Sequence, residues 1–162
     1  MIVNEVPKIS DLGSAKRLSA DHKNSPYVVS QLYKAPELIL GLDYELNIDV
    51  WSLGVMIYES VLQKTPFNGK SEGLQLKDIY SKLGSPNDSE IKALETRRSK
   101  WDQAEWGCLK GVEADPLFWS PVVKADPTGN LKSVLQECWR YDPDQRISAS
   151  GLLNHPYFEG VE

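Results

Sequence analysis

The stretch KISDLGSAKRL, residues 8 to 18, holds the first residues whose types and spacing could support chemistry. Asp11 stands where a strand-like lead-in gives way to a loop, and Gly13 follows two positions later. A carboxylate on such a loop could bind a metal ion, because hard cations prefer oxygen ligands. The same Asp-x-Gly spacing is also common in ordinary turns. Taken alone, the stretch leaves both interpretations open.

The length and composition are those of one ordinary globular domain, or of one large lobe of something bigger. The chain has 162 residues, of which 41% are hydrophobic and 25% charged. Its formal net charge of −5 argues against nucleic acid or an anionic membrane as a partner. No apolar run reaches the roughly 18 residues that would span a bilayer. The opening residues do not form the basic and then apolar pattern of a secretory signal.

The two cysteines, Cys108 and Cys138, match no metal-binding spacing and form no disulfide framework. Reduced thiols are typical of proteins that work in the cytosol or the nucleus. We therefore expect a cytoplasmic location, with a nuclear one also compatible.

The elements that must position any functional residues are mostly helical. NIDVWSLGVMIYESVLQ, residues 47–63, is apolar nearly all round, which predicts a helix inside a larger body rather than on its surface. Asn47 is a suitable N-cap. Gly54, in mid-helix, costs about 1 kcal/mol relative to Ala, so a packing or functional reason is expected for it.

Shorter segments surround this central helix. VPKISDL predicts one short strand before Asp11, and residues 98–128, with three prolines, are expected to be irregular. Further helices are predicted at APELIL, at residues 72–84 with Gly84 as the C-terminal cap, from Asn87, at residues 130–140 and at ISASGLLNHPYF.

Five short motifs occur in order along the chain: DLG at 11–13, YKAPE at 33–37, DVWSLG at 49–54, LGSP at 83–86 and YDPDQR at 141–146. Their order and spacing resemble the C-terminal lobe of a eukaryotic protein kinase, from just before the magnesium-binding Asp-Phe-Gly motif to the end of the lobe. DLGSAKRL, SPYVVSQLYKAPELILG and LKDIYSKLGSP are most similar to the CMGC group, and within it to the glycogen synthase kinase family.

The resemblance covers essentially the whole chain. It implies a mainly α fold, a helical bundle around a buried central helix with one short N-terminal strand. Residues 1–162 are thus interpreted as a single kinase C-lobe fragment. Its parts would be an activation segment at 11–37, the central helix at 47–63, a CMGC-type insert at about 85–128, and terminal helices at 130–158.

Asp11 is implied by the resemblance to present its carboxylate to the Mg²⁺ that bridges the phosphates of ATP. Leu12 stands where the family usually has Phe, a change that does not exclude metal binding. Gly13 is expected to let the backbone pivot, as an activation segment requires.

Tyr27 aligns with the activation-loop tyrosine of the glycogen synthase kinase family. Phosphorylation there would add about −1.5 to −2 charges and order the loop by pairing with arginines. An exposed loop tyrosine without this role remains the alternative. Gln31 replaces an arginine that the family pattern places against the phosphotyrosine and the substrate groove. Because Gln lacks the charged fork of Arg, this departure weakens the inference of tyrosine-dependent activation and of a preference for pre-phosphorylated substrates.

Four other residues resemble structural positions of the family. Ser30 resembles the hydroxyl residue that links the substrate-facing loop to the catalytic aspartate, with a turn serine as the alternative. Glu37 and Arg146 correspond to an ion pair that pins the activation segment to the last helices. Asp49 resembles the residue that accepts backbone N–H bonds from the catalytic loop. Trp51, in the periodic apolar pattern of the central helix, is assigned to core packing.

Several parts of a working kinase are absent from these 162 residues. The sequence contains no Gly-rich loop, no strand-borne Lys with its Glu partner, and no His-Arg-Asp catalytic loop with its second metal-binding Asn. No catalytic residue is therefore assigned. We expect this chain alone to bind ATP and Mg²⁺ poorly and to be inactive, because phosphoryl transfer needs several parts at once. We also expect exposed apolar surface on the central helix.

Three interpretations follow. The complete protein could be an ATP- and Mg²⁺-dependent serine/threonine kinase acting on protein substrates. The chain could instead be a non-catalytic module that binds scaffold proteins through residues 98–128. The third possibility is a degenerate gene product that never folds stably. The aromatic residues at 98–128 would anchor a scaffold surface, or would simply cover the lobe's own core: Trp101, Trp106, Phe118 and Trp119.

Overall fold

A computed structural model describes residues 2–3, 6–15, 30–97 and 110–160 of the chain. Within these ranges the fold is mainly helical, so the predicted fold class is confirmed. The strands and helices are β1 Ile2–Val3, β2 Val6–Pro7, α1 Pro36–Ile39, α2 Ile48–Leu62, α3 Glu72–Leu83, α4 Asp88–Glu95, α5 Ser120–Ala125, α6 Asn130–Cys138 and α7 Ala149–Leu152. Short 3-10 turns lie at Leu12–Ser14, Gln31–Tyr33 and Pro156–Phe158.

The N-terminal strand differs from the prediction. β1 and β2 form a small antiparallel pair in which Ile2 lies opposite Pro7 and Val3 opposite Val6. Residues 8–10, which were expected to continue one strand up to Asp11, are irregular and exposed. A strand is stabilised by hydrogen bonds to a neighbouring strand, and no third strand pairs with these residues within the part of the chain that is described.

The central helix α2 packs against α5 and α6. Its buried face carries Trp51, Val55 and Tyr58, in agreement with the predicted helical spacing. The helix lies inside the lobe, as predicted, and among its described residues the exposed large apolar side chains are Met56, at 50%, and Val61, at 38%. Part of the apolar surface of α2 is therefore exposed, in agreement with the expectation of exposed apolar surface on this helix.

Gly54 allows α2 to approach α6 closely. A Cβ at this position would lie 2.7 Å from Nε1 of Trp139 and 2.8 Å from Cβ of Cys138. Both distances are shorter than real Cβ contacts, so a side chain here would force the helices apart. Close packing is thus the reason for a glycine in mid-helix.

An aromatic cluster fills the space between α2 and the C-terminal half of the chain. Phe67 and Trp139 meet edge to face with ring centroids 5.0 Å apart, and Tyr58 stacks on Phe118 at 5.8 Å. Trp51 contacts the same cluster through Phe67 at 6.0 Å. Such pairs each contribute about 0.5–1.5 kcal/mol beyond the burial of their area. The cluster sets the position of α2 relative to α6.

Local capping defines α3 and α4 as the sequence indicated. Gly84 ends α3 with φ +85°, a conformation that suits glycine. The Asn87 side chain accepts from the backbone N–H groups of Ser89 and Glu90, and Glu90 bonds back to the N–H of Asn87, so α4 begins with a capping box. Leu74, on α3, is 51% exposed.

Two segments in the C-terminal half of the chain also differ from the predictions. Helix α5 lies within a region expected to be irregular; Pro121 stands in its first turn, where a missing N–H costs nothing. The final predicted helix is divided into α7 and the 3-10 turn at Pro156–Phe158. None of the described helices has both the length and the apolar character needed to cross a bilayer.

Candidate functional site

A buried ion pair joins α1 to the loop before α7. Arg146 donates from Nη1 to Oε1 of Glu37 at 2.7 Å and from Nη2 to Oε2 at 3.1 Å, and both side chains are almost fully buried. Arg146 also donates to the backbone carbonyls of Arg140, at 3.0 and 3.2 Å, and of Asn47, at 2.9 Å. The paired charges and the extra hydrogen bonds offset the cost of removing both ions from water.

Local structure explains how the two charges meet. Pro36 begins α1, which places Glu37 in the first turn, where the helix dipole favours a carboxylate. The Arg146 guanidinium lies 5.3 Å from the ring centroid of Trp51 on α2, so an aromatic face contributes to its position. Asn47, predicted to cap α2, instead directs its side-chain amide to the carbonyl of Pro143 in the loop that carries Arg146.

The turn just before α1 is held against α2 and α3. Tyr33 donates its hydroxyl to Oε2 of Glu59 at 2.6 Å, and Lys34 pairs with Glu72 at 2.6 Å. Ser52 donates to the backbone carbonyl of Tyr33 at 2.8 Å. The hydrogen bond to Glu59 raises the pKa of Tyr33, and burial adds to the effect. These contacts fix the end of the segment expected to face a substrate.

Gln31 lies in this docked turn rather than in an open groove. Its Nε2 donates to the backbone carbonyl of Gly69 at 2.5 Å. Ser30 is exposed, and its hydroxyl makes no hydrogen bond within the described ranges. Tyr27 lies outside the described residues. The structure therefore brings Gln31 to the loop before α3 and leaves Ser30 accessible.

The Asp11 loop is exposed, and within the described residues the bond of the Asp11 side chain is a local one. Oδ1 of Asp11 accepts from the N–H of Gly13 at 3.3 Å, and Leu12 is 69% exposed. The residue with the unusual backbone is Asp11 itself, at φ +57°, and not Gly13, which was expected to supply the pivot. Asp tolerates this left-handed conformation because its short side chain bonds to the backbone nearby.

Among the described residues, Asp11 and Asp49 are not clustered with other candidate metal ligands. Asp49 is exposed in the first turn of α2, and its carboxylate makes no hydrogen bond within the described residues. The same part of the chain contains no cluster of three or more His, Cys, Asp or Glu that could hold a metal ion. The accessible carboxylate of Asp11 has the chemistry of a Mg²⁺ ligand, but it supplies only one ligand group.

Part of the predicted scaffold surface is used inside the lobe. Trp101 and Trp106 lie outside the described residues. Phe118 is buried, and Trp119 packs edge to face on it with centroids 5.0 Å apart. Of the four aromatic residues, the two that are described therefore help to cover the lobe's own core.

Sequence reasoning missed the polar residues of α3 that hold the turn. Gln75 is fully buried between the exposed Leu74 and the buried Leu76, and Glu72 pairs with Lys34. No motif identifies either residue. One signal could have identified Gln75. It is a polar residue at a position where the helical spacing of α3 predicts burial, and the loop before this helix contains glycine.

Comparison with known proteins places these features in context. A model described as the protein kinase domain matches residues 1–158. A glycogen synthase kinase 3 of Trypanosoma brucei brucei is 34% identical over 152 residues, which are 93% of this chain and 41% of that protein. The protein kinase gsk3 of Schizosaccharomyces pombe is 34% identical over 157 residues, 96% of this chain and 38% of that protein. The cyclin-dependent kinase B1-1 of Arabidopsis thaliana is 32% identical over 160 residues, 98% of this chain and 49% of that protein. The chain spans less than half the length of each of these relatives.

Proposed function

The chain belongs to the protein kinase family, and we propose that it forms the C-terminal lobe of a serine/threonine kinase similar to glycogen synthase kinases. In the complete protein, this kinase would transfer the terminal phosphoryl group of ATP to Ser or Thr of protein substrates. Mg²⁺ would neutralise the charge of the phosphate oxygens during the transfer.

The observation that best supports this proposal is the buried pair of Glu37 and Arg146. It connects the end of the proposed activation segment to the terminal part of the lobe, 109 residues away along the chain. A pair of charges is expensive to bury, and its cost is offset here by paired geometry and backbone acceptors. The anchored turn beside it would present Ser30 and its neighbours to a protein substrate.

The residues of this chain would have separate tasks. Asp11 would bind Mg²⁺ through its exposed carboxylate. Asp49, exposed at the start of α2, would accept backbone N–H bonds from the catalytic loop of the complete protein. Tyr33 and Lys34 would hold the substrate-facing turn through the contacts to Glu59 and Glu72.

A first experiment is an immunoblot of the endogenous protein with an antibody raised against residues 98–128. A band at more than twice the 18.2 kDa of this chain is the expected result, because the chain spans less than half of its relatives. A single band near 18 kDa would contradict the proposal of a complete kinase.

A second experiment tests the role of Asp11 in that full-length protein. Asp11→Asn should abolish Mg²⁺-dependent phosphorylation of a protein substrate while the melting temperature stays unchanged, because the side chain is exposed. Asp43→Asn is the matched control, since Asp43 is also an exposed aspartate and should tolerate the change. Equal activity of the two variants would exclude Asp11 as the metal ligand.

The alternative is a non-catalytic interaction module that binds scaffold proteins. Exposed apolar side chains at the end of the insert favour it, since Leu117 is 71% exposed and Val123 45% exposed. This function predicts the 18 kDa band and a cooperative melt of the isolated chain. A molten or aggregating isolated chain would contradict it.

A further inference from the structure

Three side-chain hydrogen bonds connect the turn at Gln31–Tyr33 to α3 and the loop before it. Gln31 donates to the carbonyl of Gly69 at 2.5 Å, and Gly69 donates its N–H to Oε1 of Gln75 at 2.7 Å. Gln75 in turn donates from Nε2 to the carbonyl of Leu32 at 3.2 Å. Because Gln31 and Leu32 are adjacent, the three bonds form a closed circuit, named here the amide circuit.

The centre of the amide circuit is buried and has no spare room. Gln75 is fully buried. Its side-chain amide accepts a hydrogen bond from the backbone N–H of Gly69 and donates one to the backbone carbonyl of Leu32. A Cβ at Gly69 would lie 2.2 Å from the backbone nitrogen of Gln75, so only glycine allows this approach. Removing one partner would leave a buried polar group unsatisfied, which costs more than the hydrogen bond itself contributes.

We propose that Gln31 and Gln75 are positioning residues that hold the substrate-facing turn in its docked place through the amide circuit. The inference rests on the proposed function in one respect, the assignment of this turn to substrate contact. All three bonds are formed by neutral groups. The circuit therefore positions the turn without requiring a phosphate on the preceding segment.

The test measures docking of the turn directly, by limited trypsin digestion of the full-length protein. Lys34 follows the turn and is only 5% exposed, so the Lys34–Ala35 bond is protected while the turn is docked. Gln31→Glu keeps the shape of the side chain but cannot donate to the Gly69 carbonyl. We expect this change to accelerate cleavage after Lys34 by about fivefold, because cleavage follows the population of the open form.

Two further variants control for charge and for the donor. Gln136→Glu makes the same substitution on the exposed side of α6 and should leave cleavage after Lys34 unchanged. Gln31→Met keeps the length of the side chain, removes the N–H donor and adds neither a charge nor a trypsin site, so it should accelerate cleavage after Lys34 as Gln31→Glu does. Arg146 is 5% exposed, and cleavage after it should be equally slow in all variants, which separates local undocking of the turn from general unfolding.

Kinetics of the full-length protein complete the test. Gln31→Glu should raise KM for a protein substrate by a similar factor and leave KM for ATP unchanged. The inference is overturned if Gln31→Glu and Gln136→Glu are cleaved equally after Lys34, or if KM for the protein substrate does not change when the turn is released. A wild-type protein without any kinase activity would contradict the proposed function instead, while the digestion would still decide whether the amide circuit holds the turn.

Discussion

The two ends of the proposed activation segment are built in opposite ways. At its start, Asp11 and Leu12 lie in an exposed loop whose described side-chain bond is the local one to Gly13. At its end, Glu37 is fully buried and paired with Arg146, and Lys34 is nearly buried beside Glu72. Each end carries an acidic residue to which the family resemblance assigns a role: Mg²⁺ binding for Asp11 and the ion pair with Arg146 for Glu37.

The difference separates charges that hold the fold from charges that are available for chemistry. The Glu37 carboxylate has both oxygens bonded to Arg146, so neither is free for a ligand. The Asp11 carboxylate is exposed, which leaves it accessible to a cation. Removal of the first should therefore damage stability, and removal of the second should damage only activity.

The largest expected effect comes from breaking the buried pair. Arg146→Met should lower the free energy of unfolding by about 3–5 kcal/mol, because it leaves the Glu37 carboxylate buried without a partner. Urea denaturation measures this change. Arg140→Met is the matched control, since it breaks the exposed pair with Glu137 and should cost less than about 1 kcal/mol. Similar losses for the two variants would show that the buried pair is not the anchor.

A smaller loss should follow from disturbing the helix that supports the docked end. Gly54→Ala should cost about 1–3 kcal/mol, because the new Cβ would press on Trp139 and Cys138. Gly73→Ala, in α3, should instead stabilise by about 0.5–1 kcal/mol, since no atom lies within 4 Å of a Cβ there. Thermal unfolding of both variants tests the comparison, and a stabilising Gly54→Ala would refute the close packing of α2 on α6.

The free energy of unfolding is expected to fall at high pH because of the buried thiol of Cys138, which lies against α2. Burial raises the pKa of Cys138 from 9.0 to about 12. The thiol therefore has a higher pKa in the folded protein than in the unfolded chain. The free energy of unfolding is unaffected by this group below about pH 9, and it falls as the pH rises from about 9 toward about 12, because the unfolded chain loses the proton first. At about pH 10, the free energy of unfolding should have fallen by roughly 1 kcal/mol on account of this group.

The measurement is the difference in unfolding free energy between about pH 8 and about pH 10, for the wild type and for Cys138→Ala. The variant lacks the titrating thiol, so its pH dependence should be shallower. Other groups, among them Tyr141, whose pKa burial also raises, contribute to both proteins and cancel in the comparison. Identical pH dependence in the two proteins would show that the thiol is accessible in the folded state.

The smallest expected effect is at the start of the segment. Asp11→Asn should change the free energy of unfolding by less than about 0.5 kcal/mol, because the residue is exposed and Asn can still accept from the Gly13 N–H. Chemical denaturation of Asp11→Asn and of Glu37→Gln measures this difference, because the two variants change the exposed and the buried carboxylate of the same segment. A large loss for Asp11→Asn would mean that the loop is anchored by contacts outside the described residues.

Much of the secondary structure followed from local signals. The helical spacing of residues 48–62, the capping box at Asn87 and the glycine that ends α3 are all properties of short stretches, and each was readable without a partner. The errors arose where a local signal was ambiguous. Residues 98–128, with their three prolines, were expected to be irregular although Pro121 lies in the first turn of α5, and VPKISDL was taken as one strand although only part of it pairs.

The sequence by itself determined the family, each described helix except α5, and the identity of the charged residues at both ends of the segment. Only the tertiary structure decided which of those charges are buried, and that Gln75 connects Gln31 and Leu32 through the amide circuit. The reason is distance along the chain. Glu37 and Arg146 are 109 residues apart, and Gln31 and Gly69 are 38 apart. The burial of a polar side chain depends on which distant segments fold over it. The periodicity of apolar residues within one helix does not predict which segments these are.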